Sequence, residues 1–311
     1  MSELHIVFFY QIVKMFLIMA IGFLAVKTHL IPASAGKGIS QLAAFIVKPC
    51  AILYAFQVDY SAEKALGFLL ALFAAVLTHV IFIIISRLLS KPCHLSPVEQ
   101  ASMIYTNSGN LLMPLVAATM GQEWLFYSCA YMAALQSFVW IHGKSLICEE
   151  RQIDWKRAFF NVNIISIVLG IFFFFTQLRF PSLLGEAVAS VSSMQGAVNM
   201  LSIGISFATF SSLNLRKLSK VIFVTVHRLV VFPAIMLLIF FIIGVTKFLP
   251  DAYQIILIVL LASGAPSGVV VTQIAQIYGK DENQSSLINV FTMICSILTM
   301  PSLIWIYERI F

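Results

Sequence analysis

Two runs place helix-breaking and small polar residues inside apolar sequence: Thr106-Asn107-Ser108-Gly109-Asn110-Leu111-Leu112-Met113-Pro114 and Leu261-Ala262-Ser263-Gly264-Ala265-Pro266-Ser267-Gly268. Pro114 and Pro266 each remove a backbone donor and crowd the preceding turn. Gly109, Gly264 and Gly268 let the chain leave helical geometry. The carbonyls and amides freed in this way need partners, which Asn107, Ser108, Asn110, Ser263 and Ser267 can supply. A second half-helix beginning near each proline would turn its free N–H groups and positive dipole end toward the break. Two such ends meeting from opposite sides attract an anion, each contributing about 0.3–2 kcal/mol.

Basic residues add to this chemistry. Lys14, Lys48 and Arg228 fall inside apolar stretches, where a charge costs about 2.5–3.5 kcal/mol on insertion scales. Such a cation needs a cavity, a carbonyl or an anionic ligand, or it must reach the interface along its own apolar stem. Arg228 has a fork that suits a carboxylate, and Lys48 abuts Pro49 and its freed carbonyls. His79 and His227 suit either a proton relay or a structural hydrogen bond. Asn199 and Gln195, close to Ser192, Ser193, Ser202 and Ser206, suit either the same cavity or contacts between helices.

The elements that carry these residues are membrane-spanning. Of 311 residues, 60% are hydrophobic and 10% charged, and the mean hydropathy is +0.98. A soluble domain with that balance would expose far too much apolar surface. Ten apolar segments can be drawn, at 5–26, 39–57, 65–88, 99–119, 124–145, 159–178, 187–209, 219–245, 253–277 and 286–307. About 20 residues span a bilayer, and unpaired backbone is not tolerated there, so helices are expected throughout. The start of the chain lacks the basic flank and cleavage site of a signal peptide, so the first segment reads as a span.

Lys and Arg set the orientation. The odd-numbered loops carry Lys27, Lys37, Arg87, Lys91, Lys144, Arg151, Lys156, Arg157, Arg216, Lys217, Lys220 and Lys280; the even-numbered ones carry only Lys64, Arg179 and Lys247. The odd loops are therefore expected in the cytoplasm, with the N and C termini outside and the protein in the plasma membrane. The same bias accounts for the net charge of +6, with no nucleic-acid partner implied. Residues 1–150 and 151–311 read as two five-helix repeats, joined by a cytoplasmic hinge from Arg151 to Arg157. Five is odd, so the repeats are inverted, and segments 4 and 9 are broken at matching places.

Other chemistry finds little support. All thirteen acidic residues lie in loops or at segment ends, which argues against a carboxylate-coupled cation antiporter. The five cysteines form no CxxC pair, so neither a disulfide framework nor a metal site is suggested. HExxH, GxSxG and P-loop motifs are missing, and no cofactor is expected.

The run Asn107-Ser-Gly-Asn110-Leu-Leu-Met-Pro114-Leu resembles the fourth-helix signature of the auxin efflux carrier family, and Ala265-Pro266 with Val269-Val270-Val271 and Gly279-Lys280-Asp281 resembles its ninth helix. Leu298-Thr299-Met300-Pro301-Ser302-Leu303 is similar to its last helix, and Gly22-Phe23-Leu24 with Leu30-Ile31 to its first. The resemblance implies a ten-helix all-α fold shared with bile acid symporters and sodium–proton antiporters. In that fold helices 1, 2, 6 and 7 form a scaffold. Helices 3–5 and 8–10 form a mobile transport domain, in which the broken helices 4 and 9 cross. It implies a secondary carrier of small organic anions, malate-like in bacterial members, working by an elevator movement, with a homodimer through the scaffold. The long loop of plant members is missing, which favours the short bacterial type over auxin as substrate, and Asn199 stands where many members have Pro. The substrate-binding set is then Asn107, Gly109, Asn110, Pro114, Ser263, Pro266, Ser267, Arg228, Lys48 and Asn199. The coupling ion of such a carrier would be a proton or sodium. Rival readings are a sodium-coupled symporter of the bile acid type and a receptor that binds without transporting; an enzyme ranks third.

Overall fold

The computed structural model describes residues 4–150, 160–208 and 218–311. The hinge expected from Arg151 to Arg157, and the basic pair Arg216 and Lys217, lie outside the described residues. Within them the chain is helical: α1 Leu4–Lys27, α2 Ala35–Ala55, α3 Ala62–Ser90, α4 Pro97–Ile104, α5 Met113–Thr119, α6 Gln122–Cys148, α7 Val162–Thr176, α8 Ser182–Ala208, α9 Leu218–Ile243, α10 Ala252–Ser263, α11 Val269–Ile277 and α12 Glu282–Ile310. No strand occurs among the described residues, only one isolated antiparallel bridge. Seven of the helices (α1, α2, α3, α6, α8, α9 and α12) are long and apolar enough to cross a membrane, and α7 and α10 are shorter apolar helices.

Their surfaces suit lipid. Leu17, Ile21 and Leu24 of α1 and Leu69, Phe73 and Ile84 of α3 are exposed, a placement that water would oppose and hydrocarbon accepts. The interior is built on α10, where every residue from Ile255 to Ser263 is buried. α1 packs along α8, and α2 packs against α7 and α8. α3 packs along α6 and α10, while α12 runs beside α9 and α11. Close approach of α1 and α8 depends on two glycines. A Cβ on Gly204 would stand 1.9 Å from the Met19 carbonyl oxygen, and one on Gly22 would stand 2.5 Å from that of Leu201. Small residues at helix contacts are the usual means of such packing in membranes.

Several helices contain a wide π-turn with a local cause. The turns Ala43–Val47, Ser108–Leu112 and His227–Val231 end two residues before Pro49, Pro114 and Pro233 respectively. A proline ring clashes with the carbonyl four residues earlier and offers no N–H to it. Widening the turn moves that carbonyl aside while the helix continues. Lys48 follows the first of these turns, and Asn110 and Arg228 lie within the other two. A fourth π-turn, Val139–Gly143, has no proline; there Gly143 lies flat against the Tyr105 ring, 2.7 Å from where its Cβ would stand.

α4 begins with a capping box. The Ser96 backbone N–H donates to Glu99 Oε2 (2.9 Å), the Glu99 N–H donates to Ser96 Oγ (3.2 Å), and Pro97 takes the first helical position. Glu99 Oε1 also accepts from Gln284 Nε2 at 3.0 Å, which ties the start of α4 to the start of α12.

Candidate functional site

Both suspected breaks are real, and they meet. α4 ends at Ile104 because Tyr105 is extended (φ −93°, ψ 132°). α10 ends at Ser263, and Thr106 and Ser267 then face each other as an antiparallel bridge. Two backbone hydrogen bonds hold it: Asn107 N–H to the Pro266 carbonyl (2.8 Å) and Gly268 N–H to the Tyr105 carbonyl (2.9 Å). Pro266 has no N–H, so at this crossing it can only accept. Gly268 is needed because a Cβ there would lie 2.9 Å from the Thr106 carbonyl oxygen. α12 closes the far edge: the Ser267 N–H donates to Thr292 Oγ1 (3.1 Å), and Asn289 Nδ2 donates to the Ser267 carbonyl (3.0 Å). Both broken segments therefore satisfy backbone groups at the crossing through protein partners, as a membrane interior requires.

One second half-helix starts near its proline as expected, and the other does not. α5 has Pro114 in its first turn, preceded by the Ser108–Leu112 π-turn. α11 does not start at Pro266 but after Gly268, because residues 265–268 are drawn out to make the crossing.

Arg228 is fully buried, and its guanidinium is directed at backbone. Nε donates to the Ala265 carbonyl (3.0 Å), Nη1 to the Met103 carbonyl (3.1 Å), and Nη2 to the Ser263 carbonyl. Its charged plane also lies 5.3 Å from the Phe82 ring centre. These carbonyls belong to the C-terminal ends of α4 and α10, each of which carries roughly half a negative charge. One guanidinium matches the sum of the two. Arg228 thus neutralises the crossing from its C-terminal side, and its three hydrogen bonds all go to the polypeptide.

A second cluster forms just after the fourth-segment break, at the N-terminal end of its second half-helix. Lys48 Nζ donates to Asn110 Oδ1 at 2.8 Å. Asn199 Nδ2 donates to the Asn110 carbonyl (3.4 Å) and Gln195 Nε2 to the Gly109 carbonyl (3.3 Å). Lys48, Asn199 and Gln195 are buried, whereas Asn110 is only half-buried and keeps its own amide N–H₂ accessible. Gly109 leaves room for this approach, since a Cβ there would lie 3.2 Å from Lys48 Nζ and 2.8 Å from Met132 Cε. The cluster presents one cation and amide donors beside the positive end of a half-helix, an arrangement that favours an anion.

The other sequence candidates fall as follows. Asn107 Nδ2 and Ser267 Oγ are buried at the crossing without a hydrogen-bond partner among the described residues, as is Asn289 Oδ1. This is hydrogen-bonding capacity that the polypeptide itself leaves unused. The Ser263 hydroxyl donates to the Leu260 carbonyl of its own helix at 2.6 Å. His79 and His227 each use Nδ1 on the carbonyl one turn back, Ala75 (2.7 Å) and Phe223 (2.8 Å), and the His79 ring stacks on Phe138. Those contacts are structural. Lys14 lines a groove between α1 and the C-terminal end of α5, away from the crossing.

Asn289 and Thr292 escaped the sequence reading. Their signal is a polar stripe, Ser285, Asn289, Thr292 and Ser296, spaced four, three and four residues apart in an apolar span, and all four are buried. That spacing is one face of a helix.

No curated protein matches the chain. A family model described as "Membrane transport protein" matches it over residues 7–153 and 150–305, nearly its whole length. With its apolar helices, the chain is a multi-pass membrane protein. It belongs to the membrane transport protein family of auxin efflux carriers, which are secondary transporters.

Proposed function

We propose that this chain carries a small carboxylate of the malate class across the plasma membrane. The observation that carries the proposal is the contact between Lys48 and Asn110, with Asn199 and Gln195 beside it. A substrate carboxylate takes Lys48 Nζ and the Asn110 amide N–H₂ as charge-assisted donors, and the positive end of the half-helix that opens with the Ser108–Leu112 π-turn adds to the attraction. Arg228 does not touch the substrate in this reading. It occupies the place where two C-terminal helix ends would otherwise call for a coupling cation, so sodium is not expected to drive transport.

The wider architecture belongs to the same proposal. There are ten spans in two inverted five-helix repeats, with the termini outside and the odd loops in the cytoplasm. α1, α2, α7 and α8 form the scaffold, through which two copies pair. α3–α6 and α9–α12 form the moving unit, so the Lys48–Asn110 contact lies across the sliding boundary. Support comes from helix packing, in which α8 joins α1 to α2 and α2 joins α7, with α1 also resting on α12. An elevator step breaks that contact and exposes the site to the opposite side.

The test is uptake of labelled malate and related acids into proteoliposomes. Asn110→Ala removes a donor and leaves Lys48 without this partner; hydrogen bonds to charged groups are worth about 1.5–3 kcal/mol, so uptake efficiency should fall about tenfold to a hundredfold. Unchanged uptake in that variant refutes the site. Saturable binding by the native chain with no translocation supports a receptor instead.

A further inference from the structure

The C-terminal ends of α3 and α6 and the side of α4 that carries Gln100 and Ile104 line a cavity of about 280 Å³. Among the described residues it is lined by Ser86, Arg87, Ser90, Gln100 and His142 with three aliphatic side chains, none of them acidic. We propose that this cavity is an oxyanion site of the phosphate class, filled by a lipid headgroup phosphate or by a free phosphate anion. It is separate from the cluster at Lys48 and Asn110 and does not rest on the transport reading.

The lining groups are mostly uncommitted donors. Arg87, at the rim, has no ion-pair or hydrogen-bond partner for its guanidinium among the described residues. A planar fork of N–H groups fits phosphate oxygens in pairs. Ser86 is 1% exposed, and its hydroxyl is buried without a partner, although it faces a polar cavity. Buried hydroxyls normally find one. Gln100 Nε2 uses one hydrogen on the Leu95 carbonyl (3.1 Å) and keeps the other. The Tyr105 hydroxyl donates to the Phe138 carbonyl (3.1 Å), so His142 Nδ1–H donates to the Tyr105 oxygen (2.6 Å) and Nε2 is left as an acceptor, suited to the P–OH of a protonated phosphate. Only the Ser90 hydroxyl is spent, on the Arg87 carbonyl at 2.7 Å. The volume is at the small end of ligand pockets, which run about 300–1,000 Å³, and suits a headgroup or a small ion.

The site adjoins the crossing through one residue. The Tyr105 hydroxyl reaches the cavity wall at His142 and also lies 3.1 Å from the Phe138 carbonyl, while the Tyr105 backbone carbonyl accepts the Gly268 N–H of the crossing. An anion that orders His142 therefore orders the residue on which the bridge is hung.

The experiment uses the purified full chain, native and Arg87→Gln. Thermal unfolding is followed in detergent as inorganic phosphate replaces chloride at constant ionic strength. It is followed again in phosphatidylcholine nanodiscs with and without phosphatidic acid. The expected result is saturable stabilisation by phosphate, by phosphatidic acid or by both, with apparent affinity weakened about tenfold or more in Arg87→Gln. A response to phosphate assigns the free anion, and a response to phosphatidic acid alone assigns the lipid. Ser86→Ala, which removes one neutral donor, should weaken the same response less. The proposal is overturned if neither oxyanion stabilises the native chain beyond chloride, or if Arg87→Gln responds as the native chain does.

Discussion

Replacing Gly268 with alanine tests whether the two broken segments cross as described. The backbone at Gly268 (φ −73°, ψ 129°) suits any residue, so the added methyl acts by its bulk alone. It would stand 2.9 Å from the Thr106 carbonyl oxygen and 3.2 Å from its carbon. Thr106 is backbone within the bridge and cannot swing away like a side chain. The bridge must open by several tenths of an ångström, which stretches the Gly268–Tyr105 hydrogen bond from 2.9 Å. Overpacking of this kind costs about 1–3 kcal/mol, and a weakened hydrogen bond about 0.5–1.5 kcal/mol more. A total near 2–4 kcal/mol corresponds to a fall in unfolding temperature on the order of 5 °C for a chain of this size. Tryptophan fluorescence during heating in mild detergent measures it. Gly38→Ala is the control: nothing lies within 4 Å of its Cβ, and inside α2 alanine should stabilise by about 0.5–1 kcal/mol. A Gly268→Ala protein that melts with the native chain would refute the crossing.

Two further substitutions separate charge from packing. Arg228→Gln leaves buried carbonyls of Met103, Ser263 and Ala265 short of donors, at about 1–3 kcal/mol each. Arg228→Lys keeps the charge without the fork, so unfolding temperatures should rank native, then Arg228→Lys, then Arg228→Gln; equal values for the two variants would contradict the neutralising role. The native chain should take up its anion equally in sodium and in choline media, and a sodium requirement would sink that reading of Arg228. Gly204→Ala would put a methyl 1.9 Å from the Met19 carbonyl oxygen, so little folded protein is expected, whereas Gly185→Ala, with its nearest atom at 3.6 Å, should express normally. Comparable yields of the two would show that α1 and α8 are not held so closely.

Much of this was legible because membrane sequences obey few rules. Apolar length marked the spans, and the coincidence of Asn, Gly and Pro marked both breaks before any coordinates. What stayed hidden was direction. Arg228 and Lys48 looked alike as intramembrane cations, yet Arg228 turns to three carbonyls at C-terminal helix ends and Lys48 to Asn110. Spacing along one helix cannot tell which neighbour a long side chain will meet. The place where α11 starts was missed for a related reason. Proline is a good first helical residue, but the pairing of residues 266–268 with residues 105–107 outweighs that local preference. The stripe through Asn289 and Thr292 was visible in principle, and its small polar residues simply read as tolerated ones.

The three proline-linked wide turns have a consequence for how these helices can change. Each turn holds a surplus residue, and an α-helix advances about 100° per residue. In α2 and α9, where helix lies on both sides of the turn, the stretch after it is therefore rotated by about that angle against the stretch before it. One rod can then show lipid its oily side along one half and a different side along the other, with Lys48 or Arg228 placed where the phase slips. Losing a single residue there would restore ordinary winding and swing the whole downstream flank toward the wrong neighbours. These rods should accept many side-chain exchanges, yet not the excision of one link.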